Sequence, residues 1–187
     1  MGKRSNFKRN ERDFYPTPYE AIKPLLEQFK LKNSLWNFRN LPNRFYDPCA
    51  GDGALQRHMP DVEWKLTDIE PQRDDIEKKD IFSLTIDDVK GYTILTNPPW
   101  DRKILHPIIE HCMELKCPTW LLFDSDWMHT KQSIPYIKNC REIISVGRVK
   151  WIPESKYTGK ENCCWYYFDR NVQSSYFHQH STFIGRT

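Results

Sequence analysis

The stretch RFYDPCAGDGALQRHM, residues 44–59, changes character twice. Its apolar and aromatic start, 44–47, reads as the end of a β-strand. Pro48 with the pair Gly51 and Gly53 makes a tight turn, and 54–59 carries residues that start a helix. Strand, glycine turn and helix in that order open a βα unit. Glycine at 51 and 53 frees the turn for positive φ and lets a ligand approach the backbone closely. The turn departs from GxGxxG, because no third glycine follows at the required spacing and Asp52 puts a negative charge inside it. Pyrophosphate is therefore disfavoured. Asp47, at the strand end, is placed to hold the turn or to accept from an ammonium group.

Upstream, Thr17 is a good N-cap with Pro18 at the first helical position, and Ala21, Ile22, Leu25, Leu26 and Phe29 form a helical stripe bent at Pro24. Downstream, strand-like pieces at 64–67, near Ile81 and at 92–95 lie beside Asp68, Asp80 and Asn97. Ile104, Leu105, Ile108, Ile109, Cys112 and Met113 mark a helix before the apolar run 120–123, which meets Asp124. The alternation predicts an α/β fold with a mainly parallel sheet covered on both faces. Segments 142–149 and 163–168, joined by a loop with Pro153, Tyr157 and Gly159, predict an antiparallel hairpin at one sheet edge. That ending separates the chain from an ordinary dinucleotide-binding sheet.

With 187 residues, 39% apolar and 14% aromatic, the chain suits one domain with a continuous core. Its organisation reads as a flexible basic arm at 1–12, a single folded domain at 13–170 and a polar tail at 171–187. The arm carries Lys3, Arg4, Lys8, Arg9 and Arg12 against Glu11, so the formal charge of +3 is concentrated there. Such an arm either follows a phosphate backbone or is a solvated terminus. The six cysteines contain no CxxC pair and no apolar leader precedes them, which predicts reduced thiols in the cytoplasm. His106 and His111, five apart, do not share a helical face, and His178 and His180 lie in the polar tail, so no metal is predicted. No window of eighteen apolar residues exists, so neither a membrane helix nor a membrane partner is expected.

The second decisive stretch is TNPPW, 96–100, directly after the strand-like 92–95. Pro98 and Pro99 have fixed φ and no N–H, so the chain cannot continue a ladder there. Alone, the tetrapeptide NPPW at 97–100 would be a turn. In open α/β sheets, however, ligands bind beyond the carboxyl ends of the strands, where Asp47, Asp68, Asp80, Asn97 and Asp124 all fall. Asp68, about seventeen residues past Gly51, is placed as a ribose-binding carboxylate once it is read with the glycine turn.

These residues resemble a known family. DPCAGDG at 47–53, TDIEP at 67–71, DIF at 80–82 and NPPW at 97–100 look like the ordered motifs of S-adenosylmethionine-dependent amino-methyltransferases, specifically the N6-adenine DNA methyltransferases. DFYPTP at 13–18 resembles the family's N-terminal cofactor motif. RVKWIPESKYTG at 148–159 with CCWYYF at 163–168 resembles its late hairpin. The resemblance implies a Rossmann-like class I methyltransferase fold and S-adenosyl-L-methionine as cofactor. Asp47, Cys49, Ala50, Gly51 and Gly53 would hold the methionine part, Asp68 the ribose and Ile69 the adenine ring. Asp80, followed by Ile81, would accept from the adenine amine, and Tyr15 and Thr17 would close over the methionine end. Phage-encoded and restriction-associated enzymes share this layout.

The resemblance also implies a catalytic apparatus. An exocyclic aryl amine is a poor nucleophile, so a catalyst must favour the pyramidal nitrogen of the transition state. Asn97 through its side-chain oxygen and Pro98 through its main-chain oxygen would stabilise the developing charge, with Pro99 fixing the backbone. Trp100 would stack on the base, worth about 1–3 kcal/mol. The target must be single-stranded or flipped. Asp124, Asp126, Trp127 and Met128 would line its pocket, with core packing as the other reading for Trp127 and Met128 and capping of the following helix as the other reading for Asp124. In the loop 150–160, Lys156 and Tyr157, with Trp151 and Lys160, suit single-stranded nucleic acid or form an ordinary exposed connection. The motif order resembles the gamma arrangement, yet about eighteen residues follow Asp169 and 101–147 is filled by core elements. No separate target-recognition domain is predicted, which leaves the arm, the loop, or a partner subunit or homo-oligomer to supply recognition. The expected activity is an adenine-specific DNA methyltransferase, site-specific or of low specificity. RNA adenine, a protein glutamine and a non-catalytic cofactor-binding role are the alternatives.

Overall fold

In the computed structural model, which describes residues 14–36, 42–170 and 182–185, the strands are β1 (Arg44–Asp47), β2 (Glu63–Asp68), β3 (Glu77–Lys78), β4 (Thr93–Thr96), β5 (Thr119–Asp124), β6 (Cys140–Arg148), β7 (Asn162–Phe168) and β8 (Thr182–Ile184). They form one sheet in the order β3-β2-β1-β4-β5-β7-β6-β8. From β3 to β5 all pairings are parallel, whereas β7 runs antiparallel to both β5 and β6. The chain moves outward from β1 to β3 in one direction and from β4 to β5 in the other. The strand order therefore reverses between β1 and β4, and the carboxyl ends of these two strands carry Asp47 and Asn97.

Both faces are covered, as a parallel sheet requires. Successive residues of a strand point to opposite faces, so Phe45 and Leu95 join one cluster while Tyr46 and Ile94 join the other. On the first face Ala21, Ile22 and Leu25 of helix α1 (Tyr19–Trp36) are fully buried with Leu55 of the short helix α2 (Ala54–His58). On the second face, the short helix α3 (Ile86–Val89) contributes Val89. Helix α4 (Arg102–Glu114) contributes Leu105, Ile108, Ile109 and Cys112 beneath Phe123 and Tyr166. Each fully buried large side chain contributes about 1.5–3 kcal/mol. A further single turn, α5 (Ile134–Ile137), precedes β6.

Three local expectations change. The strand near Ile81 lies instead at Glu77–Lys78, because the Asp80 carboxylate accepts from the Phe82 N–H at 3.0 Å and turns Ile81–Ser83 into a 3-10 helix. The hairpin β6–β7 is antiparallel as expected, but β7 sits between β5 and β6, and β8 lies beyond β6 in parallel. Residues 182–184 of the tail are thus a strand, while the basic arm 1–12 lies outside the described residues. Among the described residues no helix is long and apolar enough to cross a membrane.

Candidate active site

The turn after β1 is closed largely from the neighbouring strand β2. Cys49 N–H donates to Asp47 Oδ1 at 3.1 Å, Ala50 N–H to the Thr67 carbonyl at 3.0 Å, Gly51 N–H to Asp68 Oδ2 at 2.8 Å and Gly53 N–H to the Ala50 carbonyl at 2.7 Å. These four donors are engaged inside the protein, so the turn is no phosphate cradle of the kind that presents free N–H groups. Gly51 and Gly53 sit at φ +54° and +75°. A Cβ on Gly51 would lie 2.4 Å from Phe14 Cε2, and one on Gly53 would lie 2.3 Å from Arg73 Nη1. Phe14 and Arg73 thus pack over the turn, which sequence reading did not mark: Phe14 stood inside the quoted DFYPTP, whereas nothing in the sequence marked Arg73.

Asp47 is 2% exposed, and burial pushes its carboxyl up to about 7, with Asp68 and Asp52 adding to the rise. The ion pairs nearby, Arg57 with Asp52 and Arg102 with Asp124, involve other carboxylates. A buried carboxylate of this kind suits an ammonium ligand, which would offset its desolvation. Around the same sheet edge, Ile69 is 54% and Phe82 45% exposed, offering apolar surface for a flat ring, while Ile81 belongs to the core. Asp80 is exposed and Tyr15 partly buried. The residues present therefore fit S-adenosylmethionine: a carboxylate for its ammonium, Asp68 for its ribose and apolar side chains for its adenine.

At the end of β4 the ladder with β5 runs through Thr96 opposite Leu121. The Leu122 carbonyl, one residue on, accepts from the Trp100 indole N–H at 3.1 Å in place of a ladder amide that the two prolines cannot supply. The same indole N–H lies 3.1 Å from Asn97 Oδ1, and Asn97 Nδ2 donates to Thr17 Oγ1 at 3.1 Å. Thr17 was expected to cap α1. Instead the helix begins at Tyr19, and the Thr17 hydroxyl faces Asn97 across eighty residues of chain. Asn97, Pro99 and Trp100 are partly exposed, and Pro98 is buried.

The expected base pocket is altered. Trp127 is fully buried, stacked edge-on against Phe123 and Tyr166, with its indole N–H on His106 Nε2 at 2.9 Å, so it is a core residue with no surface for a base. Asp124 is committed too: Oδ2 accepts from Arg102 at 2.7 Å and Oδ1 from the Asp126 N–H at 2.8 Å. Arg102, unmarked in the sequence reading, is the charged group it holds next to the tetrapeptide. From the β6–β7 loop, Trp151 meets Trp100 edge-on at 5.5 Å between ring centroids. Tyr157 is 81% exposed and Lys156 is exposed beside it.

No protein-family model and no curated protein matches the chain. Solved structures do. A protein from Pyrococcus horikoshii, provisionally described as an RNA methyltransferase, has a TM-score of 0.58 at 13% identity, over 89% of this chain and 92% of that one. A Listeria monocytogenes protein, provisionally described as a class I S-adenosylmethionine-dependent methyltransferase, has a TM-score of 0.57 at 13% identity, over 96% of this chain and 68% of that one. The modification subunit of a provisionally assigned type I restriction enzyme from Vibrio vulnificus has a TM-score of 0.52 at 13% identity, over 93% of this chain and 47% of that one. By its sheet order and by these likenesses, the chain has the fold of the class I S-adenosylmethionine-dependent methyltransferases.

Proposed function

We propose that the chain is an S-adenosylmethionine-dependent methyltransferase acting on the exocyclic N6 amine of adenine in DNA, the base being single-stranded or turned out of the duplex. The observation that carries this reading is the Asn97 carboxamide, held between Thr17 and Trp100 at the carboxyl end of β4, across the strand-order reversal from the buried Asp47. When bound, the cofactor would supply an electrophilic methyl group on a sulfonium, which the amine lone pair would take as the sulfur keeps the electrons of the broken bond and the amine proton passes to solvent.

The residues of the chain supply the rest. Asn97 Oδ1 accepts one bond from the indole and keeps a second acceptor direction for an amine hydrogen. The Pro98 carbonyl is the second acceptor. Two acceptors on the amine hydrogens favour the pyramidal nitrogen and stabilise the charge that develops on it. The Trp100 ring, anchored at its N–H, is left to stack on the base through its partly exposed surface. Likeness to a modification subunit of a restriction enzyme supports a partner subunit or a second copy of this chain as the source of target recognition. RNA adenine is the second reading, supported by the likeness to a provisionally described RNA methyltransferase.

The test is mass spectrometry of nucleosides from unmethylated DNA and from RNA, each incubated with the protein and S-adenosylmethionine, with Asn97→Ala as control. N6-methyladenine in the DNA pool, absent with the variant, is the expected result. Its appearance in the RNA pool alone would replace DNA by RNA. Nothing in either pool, with cofactor binding shown separately, would overturn a stand-alone nucleic-acid enzyme.

A further inference from the structure

We infer that Thr17 is a positioning residue for this reaction, its hydroxyl holding the Asn97 carboxamide in the orientation that the Trp100 indole selects; the inference rests on the reading of the site given above. An indole N–H is only a donor, so the Asn97 atom that faces Trp100 Nε1 at 3.1 Å is the oxygen. The amide nitrogen then points the other way, where Thr17 Oγ1 accepts from it at 3.1 Å. Turning the amide over would set its NH2 against the indole N–H, donor against donor, so the indole decides which way round the amide lies, and the Thr17 hydroxyl, able to donate or accept, holds it there from the other side. Thr17 is 5% exposed, so water is a poor substitute for its hydroxyl.

Thr17 is itself held from the cofactor turn. Its carbonyl, an acceptor only, lies 2.9 Å from His58 Nε2, which therefore carries the proton, and His58 belongs to the helix that follows the glycine turn. Three residues earlier, Phe14 lies over Gly51. Pro16 and Pro18 on either side restrict the backbone that carries the hydroxyl. The strap thus ties the glycine turn to the amide at the end of β4. The hydroxyl faces Asn97, whereas the sequence resemblance put Thr17 over the methionine end of the cofactor.

The experiment compares wild type with Thr17→Val, which keeps the shape and removes the hydroxyl, and Thr17→Ser, which restores it. The first readout needs no activity: hydrogen exchange of the Asn97 side-chain NH2 by NMR, its signals identified by their loss in Asn97→Ala. We expect exchange about tenfold faster in Thr17→Val and near wild type in Thr17→Ser, as loss of one hydrogen bond implies. The second readout is the single-turnover methylation rate at saturating S-adenosylmethionine on single-stranded DNA, expected to fall about tenfold or more in Thr17→Val with S-adenosylhomocysteine affinity unchanged. Unchanged NH2 exchange, or an unchanged rate with weakened S-adenosylhomocysteine binding, overturns the inference. Altered exchange in Thr17→Val, with no methylation by wild type, leaves the positioning in place and overturns the proposed reaction instead. Should Thr17→Val fail to fold, His58→Ala releases the strap from its other anchor and is expected to speed NH2 exchange in the same direction; exchange unchanged there overturns the inference.

Discussion

The Gly51 N–H donates to Asp68 Oδ2 at 2.8 Å, joining the turn after β1 to the end of β2. The other oxygen of that carboxylate accepts from the Glu70 N–H at 2.7 Å. Asp68 therefore fixes two loops through its own carboxylate, and the glycine turn takes its shape from a residue on the neighbouring strand.

Asp68→Asn offers one carbonyl oxygen where two N–H donors need acceptors, and turns an NH2 toward the other. Hydrogen bonds to a charged group are worth about 1.5–3 kcal/mol each. We expect the ligand-free protein to lose about 2 kcal/mol of stability in urea unfolding, together with S-adenosylhomocysteine affinity. A variant that binds the ligand weakly yet unfolds like wild type would mean that Asp68 acts on ribose alone.

Gly51→Ala meets two separate penalties. The backbone at φ +54° costs an L-residue about 1–2 kcal/mol, and the new methyl would sit 2.4 Å from the Phe14 ring. Only the second is relieved by Phe14→Ala. In thermal melts the double variant is expected to be less destabilised than the sum of the two single changes, while still below Phe14→Ala alone. Strict additivity would show that ring and turn are not coupled.

Much of this architecture was legible. Short apolar runs placed β1, β4 and β5, the helical stripe placed α4, and the turn chemistry of residues 47–53 located the carboxyl edge. The missed or misassigned parts share a cause: they depend on which partner a side chain finds at long range. Thr17 before Pro18 has every local mark of an N-cap, but its hydroxyl bonds Asn97. For Trp127 the sequence left base pocket and core both open, and its enclosure by α4 and β7 selects the core. Arg73 carries no local signal, and only the fold brings it over Gly53. β8 lay in a stretch whose Ser, His and Gln content resembles no strand, and its pairing with β6 comes from a waiting sheet edge rather than from its own pattern.

The β6–β7 loop gives a prediction on binding alone. Tyr157 is 81% exposed, so Tyr157→Ala should leave unfolding unchanged. If the loop grips the substrate, losing one base–aromatic stack weakens binding of single-stranded DNA by about 1–3 kcal/mol, measured by fluorescence anisotropy. Lys156→Ala should weaken it less at high salt than at low salt. Unchanged affinity in both variants would transfer recognition to the basic arm or to a partner.

Asp47 makes the protein sensitive to pH in an unusual direction. Its carboxyl is held near about 7 in the folded chain against an ordinary 3.8, so between these values the folded state binds a proton that the unfolded state has released. Stability from this site is therefore greatest below about pH 4, declines as pH rises towards 7 and is flat above, a total of about 4 kcal/mol. Asp47→Asn, which cannot ionise, should remove this slope, so that the stability difference between variant and wild type grows from pH 5 to pH 8 in the variant's favour. A cofactor ammonium stabilises the ionised form and reverses the penalty. S-adenosylhomocysteine should then bind wild type more tightly as pH rises through about 7, with proton release at about pH 6 seen by calorimetry in buffers of different ionisation enthalpy. If Asp47→Asn kept the same pH slope in both stability and binding, the ionised carboxylate would not be the group that meets the ligand, and the methionine end would have to lie elsewhere along the sheet edge.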